Sequence, residues 1–505
     1  MCPTALPKQI GAWCVRGMRV PLLASLLMLL AAAGGAQVPG GEGTIEQAVV
    51  SVQVTAQRGD WYTPWQRRQP VQLVGSGFLI GKGTVMTNAH VVSDARQILV
   101  RRNGDSTPYV AHVAHVAHDS DLALLRVEDE AFDIGVTPLR LGDLPNLRTR
   151  VRTYGFAAGG ERISRTEGVV SRIEFVTYVH SGADAHLAIQ TDSAINPGNS
   201  GGPVVQEGRV VGVAFQANPE LNDVGFFIPT TVIKRFLQDI QDGRYDGFGD
   251  LGIVRCNLLN PAYRAFLKLP AGRAGVVVDQ VLPGSSADGA VKAGDVILAI
   301  DGHPLTNDGN IDYMGHTLGY EQIAEEKQID DPLRLRLWSG GAQKEVLLTI
   351  KPLAHASRMR ERFDVLPRYV VYAGLVFMEL DQEYLNIFGN YWENANQRLL
   401  YAHFFQPAER PETLDETPIV LTRILPHAVN RAYVGFANSL VSEINGMAIT
   451  ALEDIPQAFA AGGGEYHLIK LERGGSQLIL ERAAAAQAQG EILRQYGVRE
   501  AKRLE

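Results

Sequence analysis

Cysteine is scarce in this chain: three residues among 505, at positions 2, 14 and 256. Cys2 and Cys14 stand ahead of a leader-like apolar run, so a processed chain would keep Cys256 alone and could form no intrachain disulfide. With no histidine-bearing motif beside it, Cys256 is expected to be a packed residue rather than a nucleophile. Also missing from the body is any block of lysine and arginine. The 47 Lys and Arg against 55 Asp and Glu leave a net charge of −8, which argues against nucleic acid as a partner. The apolar run from Val20 to Ala33 falls short of the roughly 20 residues a membrane span needs. A metal motif is lacking as well. His112, His115 and His118 recur in AHVAHVAHD at a period of three, which suits neither one face of a strand nor a helical pair four apart, so neither metal nor cofactor is expected.

What is present reads as ordinary globular protein, 46% hydrophobic and 20% charged, long enough for about three domains. Lys8, Arg16 and Arg19, the apolar run, and then Gly34-Gly35-Ala36 have the layout of a secretory signal peptide over residues 1–36. Cleavage is expected after Ala36, with a retained N-terminal anchor as the alternative and Met18 as an alternative start. No lipoprotein cysteine follows the run. From residue 44 to 242, short apolar or alternating segments such as VVSVQVTA, VQLVGSGFLI and VVGVAF alternate with Gly, Asn and Asp turns, the pattern of antiparallel barrel or sandwich strands. Residues 230–242, TTVIKRFLQDIQD, carry apolar positions at helical spacing.

Residues 191–203 read TDSAINPGNSGGP, with Ser200 between Gly198-Asn199 and Gly201-Gly202. A serine nucleophile needs such a setting. Glycines let the chain turn tightly and let a carbonyl approach the backbone, so the amides of Gly198, Asn199 and Ser200 are candidates for an oxyanion hole. Upstream lie Thr87-Asn88-Ala89-His90 and Asp121-Leu122-Ala123-Leu124-Leu125, giving the chain order His, Asp, Ser. Serine is a weak nucleophile at its own pKa, so His90 is the expected base and Asp121 the group that fixes its tautomer. Asp119 is a rival for that place. Asp192 is expected to satisfy loop amides, and Ser193 lacks the flanking glycines.

GSGFLI (Gly75–Ile80), TNAHVV, DLALL and GNSGGP in this order resemble the Deg/HtrA family of ATP-independent serine proteases. The resemblance implies a mainly β chain: a chymotrypsin-like double β-barrel protease domain at 44–242, followed by PDZ-like α+β domains at 249–353 and 366–482 and a helical tail at 483–505. The first barrel would supply His90 and Asp121, the second Ser200. Ile195, Phe215 and Gly225 would line an S1 pocket for a small or medium aliphatic side chain. Leu251, Gly252 and Ile253 would be the carboxylate-binding loop of the first PDZ domain, whose amides and free strand edge take a C-terminal peptide. Residues 373–377 stand in the equivalent place of the second, which lacks the KAGDVI of residues 292–297 and is read as an assembly domain. The insertion at 386–392 and Ile492, Leu493, Tyr496 and Val498 resemble the plant branch of the family and its bacterial relatives. The loop at 58–70 is short for the family, and its Trp61, Tyr62 and Trp65 are expected at a subunit interface or in a local surface cluster. The segment 307–331 has no reading.

The function so implied is a serine endopeptidase of the cell envelope, periplasmic or secreted, that degrades unfolded or damaged proteins under stress. Homo-trimers or hexamers are the expected assembly, without stable membrane insertion. The alternatives are a regulatory protease that processes one partner, or a chaperone or adaptor whose site rests inactive.

Overall fold

The computed structural model describes residues 42–160, 162–217, 224–352, 359–389, 395–409, 417–461, 463–472 and 475–505. The leader expected at 1–36 lies outside them, and among them no helix is long and apolar enough to cross a membrane.

Alternation of small apolar residues closes two antiparallel six-stranded barrels. The first contains β1 (Val49–Ala56), β2 (Val71–Gly81), β3 (Thr84–Thr87), β4 (Ala95–Arg102), β5 (Tyr109–Ala117) and β6 (Leu122–Val127). The second contains β7 (Arg150–Gly155), β8 (Ser164–Thr177), β9 (Ala185–Thr191), β10 (Pro203–Gln206), β11 (Arg209–Ala217) and β12 (Gly225–Pro229). Val50, Val52, Phe78 and Leu125 are fully buried, as are Ile189, Val204 and Val213, so the inward rows pack the interior of each barrel. The helix Thr230–Asp239 follows and buries Val232, Ile233 and Phe236.

Arg235 on that helix is itself buried. Its guanidinium is satisfied by Asp239 at 2.9 Å, the Gly247 carbonyl at 2.7 Å and the Lys327 carbonyl at 2.8 Å, which fastens the next unit to the barrels. A second fastening is the buried pair His186 Nδ1 to Glu325 Oε1, 2.7 Å, from β9 to the helix Glu321–Glu325. The segment 307–331, silent in the sequence, thus forms a hairpin and a helix that dock this unit on the second barrel.

The two PDZ units differ in the edge they offer. In the first, the sheet order is Ile253–Asn257, Val276–Val281, Val296–Ile300, Pro332–Ser339, Ala342–Thr349, so the strand after Leu251-Gly252 pairs on one side only. Cys256 sits on that edge strand and is exposed, which corrects the expectation of a packed thiol: the edge has no further strand to cover it. In the second unit, Leu375–Glu379 is flanked on one side by Tyr369–Tyr372 and on the other by Ile419–Ile424. The two residues between, Ala373 at φ 47° and Gly374 at φ 83°, both occupy the left-handed region, as a tight two-residue hairpin requires. Residues 373–377 are therefore a hairpin turn and a doubly paired strand, not a carboxylate loop with a free edge. The Ala373 amide donates to Gln489 Oε1 of the helix Arg482–Gln495 at 2.6 Å, and the outer edge of Tyr369–Tyr372 is paired by Lys502–Arg503.

The aromatic loop at 58–70 also departs from expectation. Trp61 is buried against the second PDZ unit, where its indole N–H donates to Asp381 Oδ2 at 2.9 Å. Trp65 meets Tyr369 edge to face, and the exposed Tyr62 lies under Arg423 at 4.3 Å. The sequence separation of 320 residues in the Trp61–Asp381 bond hid this partner. Trp61→Phe keeps an aromatic ring but loses the indole N–H, leaving a buried carboxylate oxygen with only Arg362 at 3.7 Å. The expected cost is about 1–3 kcal/mol. Calorimetric unfolding would register it as an earlier transition of the second PDZ unit, and an unmoved transition would mean that the bond anchors nothing.

Candidate active site

Ser76 of the GSGFLI stretch joins the two barrels. Its amide donates to the Ser200 carbonyl at 2.7 Å, its hydroxyl donates to the Gly198 carbonyl at 2.6 Å and accepts from the Phe156 amide at 2.8 Å. Its carbonyl accepts from Thr87 Oγ1 at 2.7 Å, and Thr87 leads straight into Asn88-Ala89-His90. One buried residue thus seats the Ser200 loop against the turn that carries His90. Gly201, at φ 85°, completes the fit: a Cβ there would lie 2.1 Å from the Ser76 carbonyl oxygen and 2.3 Å from Thr87 Oγ1.

His90 lies on the short helix Ala89–Val92 and Asp121 on the turn before β6. His90 Nδ1 and Asp121 Oδ2 are 2.7 Å apart, and the His90 amide donates to Asp121 Oδ1 at 2.8 Å. Asn88 Nδ2 holds the Asp121 carbonyl at 2.8 Å, supporting a backbone at φ 52°. Burial draws the His90 pKa down, but the charge and hydrogen bond of Asp121 outweigh it and leave it raised. The free base form of His90 is therefore lost, as pH falls, above the ordinary imidazole value. For Asp121, burial pushes upward, and the charge and hydrogen bond of His90 prevail to hold it low.

Ser200 Oγ donates to the Phe215 carbonyl at 3.3 Å, and no hydrogen bond joins it to His90. Phe215 is the bulged residue where β11 pairs with β12, so its carbonyl turns toward the loop. Asn196-Pro197-Gly198-Asn199 is a turn closed by the Asn199 amide on the Asn196 carbonyl at 2.9 Å, with Gly198 at φ 97° as its third residue demands. This removes Asn199 from the candidate oxyanion donors, because its amide is spent on the turn. The amides of Gly198 and Ser200 have no acceptor among the described residues and remain available to a developing oxyanion.

The other candidates separate. Asp119 accepts from Tyr245 at 2.6 Å and from the Ser120 amide, away from His90. Asp192 accepts from the Val169 amide at 2.6 Å, and Ser193 lies between Thr153 and Thr166. Ile195 packs directly on Gly225, where a Cβ would meet its side chain at 2.8 Å, while the Phe215 ring lies tilted against Tyr178, 4.6 Å between centroids. Among the described residues no cluster of three or more His, Cys, Asp or Glu is placed to hold a metal ion.

In the first PDZ unit, Leu251 and Ile253 line a cavity of about 740 Å³ whose far wall is Ile173, Phe175 and His186 of the second barrel. Gly252 does not line it, since its amide turns back to Asp250 Oδ1 at 2.5 Å, which corrects its assignment as a donor to a peptide.

His180, in the loop between β8 and β9, carried no signal in the sequence, and its ring lies 6.2 Å from that of His90. Burial presses its pKa down to about 4.

Family profiles agree with these elements: a trypsin-like peptidase domain at 75–213 and PDZ domains at 267–312 and 359–503. Over 458 residues the chain is 36% identical to Protease Do-like 2, chloroplastic, of Arabidopsis thaliana, covering 89% of this chain and 74% of the relative. The chain belongs to the Deg/HtrA family of serine proteases. It is a serine endopeptidase with a mainly β, double-barrel fold followed by PDZ domains. Protease Do-like 4, mitochondrial, from the same plant is 33% identical over 396 residues, 78% of this chain and 73% of its own. A Deg/HtrA relative of bacterial origin, the probable periplasmic serine endoprotease DegP-like of Ectopseudomonas mendocina (strain ymp), is 34% identical over 285 residues, 54% of this chain and 57% of its own.

Proposed function

We propose that Ser200 is the nucleophile, His90 the general base and then acid, and Asp121 the residue that holds the productive tautomer. Gly198 and Ser200 supply the oxyanion donors, and Ile195, Phe215 and Gly225 shape a small aliphatic S1 site. The observation that carries this reading is the His90–Asp121 bond seated by Ser76 beside a loop whose two free amides flank Ser200. The domain plan is 44–242, 249–353, 366–482 and 483–505. Substrates are unfolded or damaged proteins, with C-terminal peptides taken by the free edge strand of the first PDZ domain. The leader-like residues 1–36 support an exported protein of the cell envelope, and the named relatives span chloroplast, mitochondrion and periplasm. Trimeric or hexameric assembly belongs to the same reading.

A second reading has one observation in its favour. The Ser200 hydroxyl is bonded to the Phe215 carbonyl, which suits a site at rest until substrate or a partner turns it toward His90. Incubating the purified chain with unfolded casein, a folded globular protein and a tagged C-terminal peptide separates the cases. Loss of casein with the folded protein intact is the expected result. Binding of casein without cleavage would replace the protease role by that of a chaperone, and cleavage of one chosen partner alone would make it a processing enzyme.

A further inference from the structure

Residues 360–364, which precede the second PDZ unit, lie on the loop beside the active site. Arg360 makes a two-pronged contact with Asp184, 2.6 and 2.7 Å, and the Glu361 amide donates to the Ser181 carbonyl at 3.0 Å, so the 178–184 loop is gripped at its middle and at its C-terminal end. Phe363 stacks on His180 at 4.0 Å and on His118 at 5.1 Å, under the Arg58 guanidinium at 4.8 Å. His118 Nδ1 and His180 Nε2 are 2.9 Å apart, and His118 Nε2 reaches Asp364 Oδ2 at 2.9 Å. The other oxygen of Asp364 accepts the Asp94 amide at 2.6 Å.

We propose that residues 360–364 are a positioning element of the active site: they hold the 178–184 loop and order the His118–His180 pair, and through His180 they set the seat of His90. This rests on the reading of His90 as the base. Chemistry fixes the order of donors. An ionised carboxylate only accepts, and Asp364 stays ionised because, although burial pushes its pKa up, the hydrogen bond and charge of His118 bring it below the usual range. His118 Nε2 must then donate. With Nε2 bonded to Asp364 and Nδ1 bonded to His180 Nε2, both rings are fixed in orientation with Phe363 as their roof. His180, the ring so fixed, is the one that lies against His90. The third histidine of the AHVAHVAHD tract thus has a role that its period of three concealed.

The test uses the full chain and a short p-nitroanilide peptide with valine at P1, too small to need a PDZ domain. Asp364→Ala removes both acceptors and is expected to lower kcat by about five- to tenfold with KM held within about twofold. Phe363→Ala is expected to do the same, and Asp364→Glu and Phe363→Tyr to restore most of the rate. A merely structural joint would shift the melting temperature without this kcat-against-KM split or the rescue. Should Phe363→Ala melt early, Asp364→Ala, at a half-exposed position, decides the matter. Unchanged kcat in Asp364→Ala, or a change confined to KM, overturns the proposal. Failure of the underlying reading looks different: Ser200→Ala would then cleave the peptide as fast as the unmodified chain.

Discussion

Ser200→Ala is expected to reduce kcat/KM on casein and on a short peptide alike by at least about 10⁴-fold, with the fold unchanged. Two observations set that expectation. The hydroxyl makes a single contact, 3.3 Å to the Phe215 carbonyl, near the outer limit of a hydrogen bond, so its loss costs little stability. Everything that seats the loop is backbone or belongs to neighbours: the Ser76 amide and hydroxyl, the Asn199–Asn196 turn, and the Gly201 amide on the Ala214 carbonyl at 2.8 Å. The alanine variant should therefore melt with the unmodified chain and still bind unfolded protein. Initial rates read beside thermal unfolding check both halves. Residual cleavage within tenfold of the unmodified chain would place the nucleophile elsewhere, and Ser193, locked between two threonines, offers no substitute.

The double barrel was legible, and so were His90, Asp121 and Ser200 as candidates, because each is written locally. Alternation over five to nine residues makes a strand, and a glycine-flanked serine makes a loop with spare amides, whatever the rest of the chain does. What escaped depends on long-range contact. Trp61 reads as an exposed aromatic until Asp381 is brought to it, and His118 reads as a failed metal ligand until Asp364 arrives from 246 residues away. A bulge between Val113 and His115 further breaks the alternation that would have sorted the histidines by face. Cys256 was misread for a related reason, since whether a strand lies at a sheet edge is a property of topology rather than of its own residues. The second PDZ unit shows the same limit: the turn at Ala373-Gly374 has the composition of a carboxylate loop, and only the pairing on both sides of Leu375–Glu379 reveals a hairpin.

Asp121→Asn should be nearly as damaging as the loss of the serine, for a reason visible in the geometry. Asp121 accepts two hydrogen bonds from His90, one from the backbone amide at 2.8 Å and one at Nδ1, 2.7 Å. An asparagine in the same seat has one oxygen and one NH₂ group. The His90 amide is a donor and nothing else, so the oxygen must face it, and the NH₂ group must then face Nδ1. Nδ1 is forced to accept, the imidazole proton moves to Nε2, and the nitrogen that should take the Ser200 proton already carries one. The backbone itself is not disturbed, because asparagine tolerates φ 52° as well as aspartate does. At neutral pH kcat should fall by about 10⁴-fold, the size of the effect in the trypsin-type enzyme where the same exchange is known, with the melting temperature nearly unchanged. Nitrogen-15 shifts of the labelled imidazole check the cause directly: the proton should sit on Nδ1 in the unmodified chain and on Nε2 in the variant. A variant that keeps the Nδ1 proton, or that keeps its rate, would show that Asp121 does not set the tautomer and would return Asp119 to consideration.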